Sequence, residues 1–183
     1  MKDKSFKTTL RYFTIAEWEK EQEYLRREHN KGWKFTGVTL PGFYHFEKCQ
    51  PEDVVYQLDY NPEGIDHKEE YVQMFQDCGW EYITDFVGYS YFRKAVSQMR
   101  GHEEIFCDTQ SRLDMIKRVF KGRMVPLIII FFLLVIPQIF SHPWTDTPAD
   151  YILAGMFLLI FIIYSLLFIH FAVKYYQCIK SMP

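Results

Sequence analysis

Cysteines and histidines supply many of the nucleophiles, bases and metal ligands of proteins, and they are scattered along this chain of 183 residues. The four cysteines stand at positions 49, 78, 107 and 178, without a Cys-x-x-Cys spacing and without a histidine pair nearby. Such a pattern predicts neither a zinc site nor a disulfide framework, and it is typical of a reduced cytosolic domain. We therefore expect no metal and no cofactor.

The densest group of reactive side chains is the run from His102 to Cys107, which also contains two glutamates. The run lies in a stretch that reads as a linker, where charged residues are normally solvated. His29, His45 and His67 are isolated from one another in the sequence. The chain also lacks a phosphate-binding loop, a Gly-x-Ser-x-Gly motif, a His-Glu-x-x-His motif and a dinucleotide fingerprint. The sequence therefore predicts no enzyme, although a convergence of histidines in space would not be visible in it.

The charges are distributed unevenly. Residues 1–111 carry 14 Lys/Arg against 20 Asp/Glu, a net charge of −6, whereas residues 112–123 carry five basic residues and one acid. An acidic domain lacks the clustered Lys/Arg that phosphate binding needs, so we expect no direct nucleic-acid partner. The five basic residues are named the basic collar: Arg112, Lys117, Arg118, Lys121 and Arg123.

Two apolar stretches without Lys, Arg, Asp or Glu follow the basic collar, at residues 124–142 and 151–173. A helix rises about 1.5 Å per residue and the hydrocarbon core of a bilayer is about 30 Å thick, so each stretch is long enough to span it. The sequence thus predicts a transmembrane hairpin in contact with the lipid bilayer. His170, near the end of the second stretch, is expected to be neutral or to reach the membrane surface.

The flanking charges predict how the hairpin is oriented. The connection at residues 143–150 contains two aspartates and no Lys or Arg, whereas Lys174 and Lys180 follow the second span. Because Lys and Arg concentrate on the cytoplasmic side, we expect a multi-pass protein of the cell membrane with both termini in the cytoplasm. The basic collar has two interpretations, which both stay open: an amphipathic helix that lies on anionic lipid headgroups, or an ordinary positive flank.

The sequence before the collar contains an internal repeat. EYLRREHNKGWKF (Glu23–Phe35) and EYVQMFQDCGWEY (Glu70–Tyr82) share a Glu-Tyr opening, the same spacing to Gly-Trp and an aromatic residue two positions later. With the β-rich runs around them, they predict strand-helix-strand-strand twice, at an offset of 47 residues, in one six-stranded, mostly antiparallel sheet. The alternative is coincidence, because glycine followed by an aromatic residue is common where a helix ends.

The predicted fold class is an α+β N-terminal domain followed by a two-helix transmembrane hairpin. The predicted segments are a cytoplasmic duplicated domain at 1–98, a basic juxtamembrane linker or amphipathic helix at 99–123, the first transmembrane helix at 124–142, a short external loop at 143–150, the second transmembrane helix at 151–173 and a cytoplasmic tail at 174–183.

Aromatic residues are dense in the predicted strands, where alternate positions share a face. One interpretation places them in the core beneath the helices. The other places some of them on an open sheet face or in a cleft, where they would contact an apolar small molecule or a protein partner. The candidate contact residues are Tyr44, Phe46, Trp80, Tyr82, Tyr89 and Tyr91.

Two resemblances extend this interpretation. The element order from Phe6 to Lys94 resembles the duplicated strand-helix-strand-strand module of GyrI-like effector-binding domains, which bind lipophilic compounds in a cleft between two halves. The segments RYFTIAEWEKEQEYLRREHNKGWKF, PGFYHFEKC, VVYQLDYNP and DCGWEYITDFVGYSYFRK, followed by paired spans, resemble a bacterial family of membrane-anchored domains of unknown function. Genes of that family are often found beside PadR-type regulators, which implies a role in envelope stress or signalling and supplies no catalytic residues.

We therefore expect a membrane-tethered cytoplasmic sensing or interaction module with a regulatory role. Its partner would be a regulator, a membrane protein or an apolar small molecule. One alternative is an accessory subunit of a membrane transporter, which would pack through the small residues Ala154 and Gly155. The other alternative is an uncharacterised enzyme.

Overall fold

A computed structural model describes residues 5–14, 17–60, 67–99, 109–141 and 147–180. The chain divides into two units, Met1–Ser111 and Arg112–Pro183. The run from His102 to Cys107 and half of the predicted external loop, residues 143–146, lie outside the described residues.

The first half of the N-terminal unit is one helix and three strands: β1 (Phe6–Leu10), α1 (Trp18–Asn30), β2 (Trp33–Thr39) and β3 (Phe43–Lys48). The strands form an antiparallel sheet in the order β1-β3-β2. Just before α1, the backbone N–H and the hydroxyl of Thr14 both donate to the Glu17 carboxylate at 3.0 Å. The helix is followed by Gly32 at φ +84°, a left-handed conformation that favours glycine.

The second half follows the same order of elements: β4 (Val54–Tyr60), α2 (Lys68–Asp77), β5 (Glu81–Phe86) and β6 (Tyr89–Ala95). Its strands form an antiparallel sheet in the order β4-β6-β5. Gly79, at φ +80°, follows α2 as Gly32 follows α1. A short 3-10 turn, Val96–Gln98, follows β6.

The α+β class is confirmed, but the expectation of one six-stranded sheet is wrong, because the six strands form two sheets of three. The strands β2 and β5 are edge strands that lie close to each other. Each has a bulge, between Phe35 and Gly37 in β2 and between Tyr82 and Thr84 in β5. A bulge bends an edge strand and interrupts its ladder, which disfavours continuous pairing between the two sheets. The two bulges stand 47 residues apart, the same offset as the sequence repeat.

Phe35 links the cores of the two sheets. It is fully buried on β2, and its ring centroid is 5.9 Å from that of Phe46 in the first sheet and 5.4 Å from that of Tyr91 in the second. Helix α1 packs on β2 and β4. On the other face of the second sheet, Phe75 of α2 packs against Phe92, with ring centroids 4.5 Å apart. The second sheet is therefore covered on both faces.

The second unit contains two long helical stretches. The first is continuous through α3 (Thr109–Val119), a π-helical turn (Phe120–Met124), α4 (Val125–Ile130), a second π-helical turn (Phe131–Val135) and α5 (Ile136–Ser141). The second is α6 (Pro148–Lys180). Within this unit the ring of Phe131 stacks on that of Tyr164, with ring centroids 5.3 Å apart. The ring centroids of Phe120 and Phe171 are 5.8 Å apart.

Both stretches are long and apolar enough to cross a membrane. The candidate spans are Leu113–Gln138, with mean hydropathy 2.3, and Pro148–Gln177, with mean hydropathy 2.8. None of the most apolar part of the second span is buried, unlike the core helix of a soluble protein. These properties suggest a membrane association. The first apolar helix begins before the predicted boundary at 124 and includes residues of the basic collar.

Candidate functional site

The structure places most of the six candidate contact aromatics in the interior. Tyr82 is partly buried. The others are 1–7% exposed: Tyr44, Phe46, Trp80, Tyr89 and Tyr91. In this conformation they pack against one another and against their neighbours, so their role as ligand contacts stays a prediction.

A carboxylate lies among these aromatic rings. Glu21 of α1 is 7% exposed, and its Oε1 accepts hydrogen bonds from the hydroxyls of Tyr44 and Tyr91, each at 2.6 Å. Tyr44 belongs to the first sheet and Tyr91 to the second, so one oxygen links both sheets. Burial raises the pKa of Glu21, and the two hydrogen bonds oppose this shift. Burial and the nearby carboxylate raise the pKa values of both tyrosines.

The end of α1 contributes a buried histidine. His29 is 5% exposed, and its Nδ1 lies 2.7 Å from the hydroxyl oxygen of Tyr56. That oxygen also accepts a hydrogen bond from the backbone N–H of Phe35 at 3.3 Å, so we assign the hydroxyl proton to the bond with Nδ1. Burial and, after it, the positive charge of Arg93 lower the pKa of His29. Both observations describe a neutral imidazole.

A polar cleft of about 450 Å³ opens where the two halves of the domain meet. Its lining comes from the end of α1, from β2, from the segment between β3 and β4, and from β5 and β6. Its volume lies in the range of small-molecule sites. The lining residues that matter here are His29, Lys34, Cys49, Glu81, Arg93 and Lys94.

Arg93 is the central charge of this cleft. Its Nε donates to Oε2 of Glu81 at 2.6 Å, its Nη2 donates to the other carboxylate oxygen, and its Nη1 donates to the carbonyl oxygen of Phe35 at 3.2 Å. The Arg93 side chain is 11% exposed, whereas that of Glu81 is 62% exposed. The hydrogen bonds from Arg93 lower the pKa of Glu81. The mostly buried Arg93 guanidinium is thus fixed by three hydrogen bonds, and its partner carboxylate is exposed to solvent.

Lys94 flanks the same cleft. Its Nζ donates to the carbonyl oxygen of Cys78 at 2.7 Å and lies 5.9 Å from the ring centroid of Trp80. Lys34, on β2, forms an ion pair with Glu47 of the neighbouring strand β3. Fixed cations therefore line the cleft from both halves of the domain.

The cleft contains a thiol and an imidazole but not the features of an activated nucleophile. Burial raises the pKa of Cys49, whereas a reactive thiolate needs a lowered pKa. Nδ1 of His29 is already hydrogen-bonded to Tyr56. Within the described ranges, no group of three or more His, Cys, Asp or Glu side chains is arranged to hold a metal ion. The cleft is suited to binding a small polar molecule, and the expectation that the chain is not an enzyme stays a prediction.

The histidines that the sequence left isolated have separate environments. His45 lies on β3 and hydrogen-bonds through its ring to the hydroxyls of Thr8 at 3.2 Å and Thr39 at 2.9 Å. His67 is exposed at the start of α2. Only His29 lies in the lining of the cleft among the three.

The basic collar is helical in the structure. Lys117 forms an ion pair with Asp114 at 3.0 Å, and both Lys117 and Lys121 are exposed. Arg118 and Arg123 are half-buried. The side chain of Arg112 lies outside the described part of the chain. The collar therefore continues into the first apolar helix without a break in helical structure.

The sequence did not predict the hydrogen bonds of Tyr44 and Tyr91 to Glu21, and it did not predict the cleft around Arg93. One signal was present: Glu21, Leu25 and Glu28 stand at helical spacing on the side of α1 that carries Trp18, so two carboxylates share the apolar side. For the cleft, the sequence offers no comparable signal, because its lining comes from five separate segments.

Comparison with known proteins places the chain by family. No curated protein and no solved structure matches it. A family model described as "Protein of unknown function (DUF2812)" matches residues 17–130, from the start of α1 into the first apolar helix. The match covers more than half of the chain, including the α+β domain from α1 onward, and the chain therefore belongs to the DUF2812 family.

Proposed function

We propose that this protein is a membrane-tethered cytoplasmic sensing or interaction module with a regulatory role. The observation that carries the proposal is the presence, in one chain, of a ligand-sized polar cleft and two helices apolar enough to cross a membrane. The helices would hold the α+β domain at the inner leaflet, and the domain would bind a protein partner or a small molecule.

The orientation is part of the proposal. The basic collar before the first span and the lysines after the second favour a multi-pass protein with both termini in the cytoplasm. Protease added to intact cells should then leave the α+β domain whole. Cleavage of that domain from outside intact cells would contradict this orientation.

We also infer that the α+β domain arose as a duplicated module. The strand order is equivalent in the two sheets, a glycine near φ +80° follows each helix, and the two bulges stand 47 residues apart. The kinship with GyrI-like effector-binding domains and the regulatory link through PadR-type neighbours rest on resemblance. The polar lining of the cleft favours a small polar ligand over the apolar one expected from the aromatic residues.

The test uses the full chain, solubilised from membranes. A captured regulator or membrane protein, or a compound that raises the melting temperature Tm, would support the proposal. Lys34→Gln, in the cleft, should weaken the interaction, whereas Lys20→Gln, an exposed residue outside it, should not. No captured partner together with no thermal shift across polar and lipophilic compounds would contradict the proposal.

A second candidate function is an accessory subunit of a membrane transporter. The supporting observation is Gly155 on α6: among the described residues, and apart from its chain neighbours and the backbone of its own helix, no atom lies within 4 Å of the position that its Cβ would take, and Ala154 precedes it. Small residues on an unoccupied helix face permit close packing of another helix. Co-purification with a permease that Gly155→Leu abolishes would favour this function, and a stable monomer in detergent would count against it.

A further inference from the structure

We propose that the cleft binds a small anion through a phosphate or carboxylate group, which docks on the guanidinium of Arg93 in place of the Glu81 carboxylate. This inference rests on the proposed function, because it names the chemistry of the ligand that the domain would sense.

The Arg93 guanidinium is held in a geometry that suits an anion with two oxygens. Its guanidinium is held by the backbone carbonyl of Phe35 and presents Nε and Nη2, side by side, to the two oxygens of Glu81. This fork matches the oxygen spacing of carboxylates and phosphates in general. Glu81 therefore shows which chemical group the position accepts.

The Arg93 and Glu81 side chains differ strongly in their exposure to solvent. Arg93 is 11% exposed and Glu81 is 62% exposed, although the two residues stand opposite each other on β6 and β5. Water screens the exposed Glu81 carboxylate, so its attraction to Arg93 is weaker than that within a fully buried pair. An incoming anion can displace this carboxylate because it takes the same place on Arg93, which therefore keeps a partner.

The lining of the cleft contains more cations than carboxylates. Lys34, Arg93 and Lys94 line the cleft against the two carboxylates of Glu52 and Glu81. Lys34 stays paired with Glu47, which lies outside the lining, so the charge that Glu81 uncovers is that of Arg93 on β6, with Lys94 beside it. The lining then attracts an anion mainly from the side of β6.

A phosphate group has two possible sources for a chain with apolar helices: a soluble compound or a lipid headgroup. The recognition chemistry at Arg93 is the same for both. The experiment therefore needs one arm for each source.

Cys49 provides the readout, because it lines the cleft and is a free, partly buried thiol. The full chain is placed in phosphatidylcholine nanodiscs, and its reaction with a maleimide is followed by peptide mass spectrometry. We expect inorganic phosphate to slow the modification of Cys49 relative to chloride at equal ionic strength. Cys78 is exposed and outside the lining, so its rate should not change.

Two variants test the site. Glu81→Gln removes the competing carboxylate and should lower the half-protecting phosphate concentration by about two- to fivefold, the equivalent of an exposed ion pair. Arg93→Gln should abolish protection. Because the loss of Arg93 can also unfold the domain, Glu81→Gln decides the outcome on its own.

The lipid arm replaces phosphatidylcholine by phosphatidylglycerol without added phosphate. Protection of Cys49 there assigns the group to a lipid headgroup, and protection by phosphate in phosphatidylcholine assigns it to a soluble compound; both support the proposal. Equal protection by chloride, or no protection of the wild type and Glu81→Gln in either lipid, would overturn it. A partner captured by the full chain without anion protection would overturn this inference alone and leave the proposed function standing.

Discussion

The hydroxyl of Tyr91 donates a 2.6 Å hydrogen bond to Oε1 of Glu21, a residue 70 positions earlier in the chain. Tyr44 donates to the same oxygen from the other sheet. A buried carboxylate is costly unless it is hydrogen-bonded, and here both of its donors come from the strands that it must hold together. The contact therefore ties α1 and both sheets at one atom.

This relationship predicts the effect of removing either hydroxyl. Tyr91→Phe and Tyr44→Phe should each destabilise the protein by about 1–3 kcal/mol, because each leaves Oε1 with one donor fewer. The double variant should be non-additive, since both donors share one acceptor. The measurement is the Tm of the full chain in detergent, with Tyr12→Phe as a control at a residue that is 69% exposed. Additive effects would show that the two bonds are independent.

Glu21 also predicts a dependence on pH. Because burial raises its folded pKa above the ordinary value of 4.5, the folded state holds a proton that the unfolded state has lost. The stability that this proton contributes is present below about pH 4.5 and is lost as pH rises through the folded pKa. Glu21→Gln should therefore gain stability relative to the wild type as pH rises from 4 toward neutrality. Glu19→Gln, on the exposed side of α1, serves as the control, and an equal slope for both variants would contradict the assignment.

His29 predicts a change of the opposite sign. Burial lowers its folded pKa below 6.5, so the unfolded state binds the proton first as the solution is acidified. The stability from neutral His29 is present above about pH 6.5 and is lost as pH falls. His29→Gln should remove the loss of folding stability between pH 7 and pH 5. His67→Gln, at an exposed position, should lose stability over that range as the wild type does. Unfolding curves at several pH values measure the difference, and a wild-type profile retained in His29→Gln would refute the prediction.

Local chemistry made the ends of the two helices predictable, but it did not make the sheets predictable. Gly32 and Gly79, which follow the helices in the repeat, depend on neighbouring residues alone. The division into two sheets is accompanied by bulges in the edge strands β2 and β5, and residue types alone do not predict where a bulge occurs.

The bulge in β5 explains why the sequence did not predict the site around Arg93. Counting back from the β5–β6 turn without a bulge would place Tyr82 opposite Arg93. The extra residue between Tyr82 and Thr84 instead brings Glu81 opposite Arg93. A shift of one residue exchanges the faces of a strand, so a single unpredicted bulge determines which side chain meets the cation.

The apolar helices predict a depth-dependent response to charge. Leu159 lies well inside α6 and is 58% exposed, whereas Tyr151 lies near the start of that helix and is 67% exposed. An arginine near the centre of a span costs about 2.5–3.5 kcal/mol of insertion free energy, and less near its end. Leu159→Arg should therefore reduce the fraction of protein that stays in the membrane after carbonate extraction. Tyr151→Arg should leave that fraction unchanged. Full retention of Leu159→Arg would show that α6 does not span the bilayer.

The two helix-ending glycines predict unequal costs for the same substitution. Both have φ near +80°, so alanine is strained by about 1–2 kcal/mol at either position. A Cβ on Gly32 would lie 3.0 Å from the backbone oxygen of Cys49, which cannot move without disturbing the segment after β3. A Cβ on Gly79 would meet only the end of the Lys94 side chain at 3.3 Å, which can give way. Gly32→Ala should therefore lower Tm more than Gly79→Ala, and the reverse order would mean that the contact of Lys94 with Cys78 is worth more than the backbone clash.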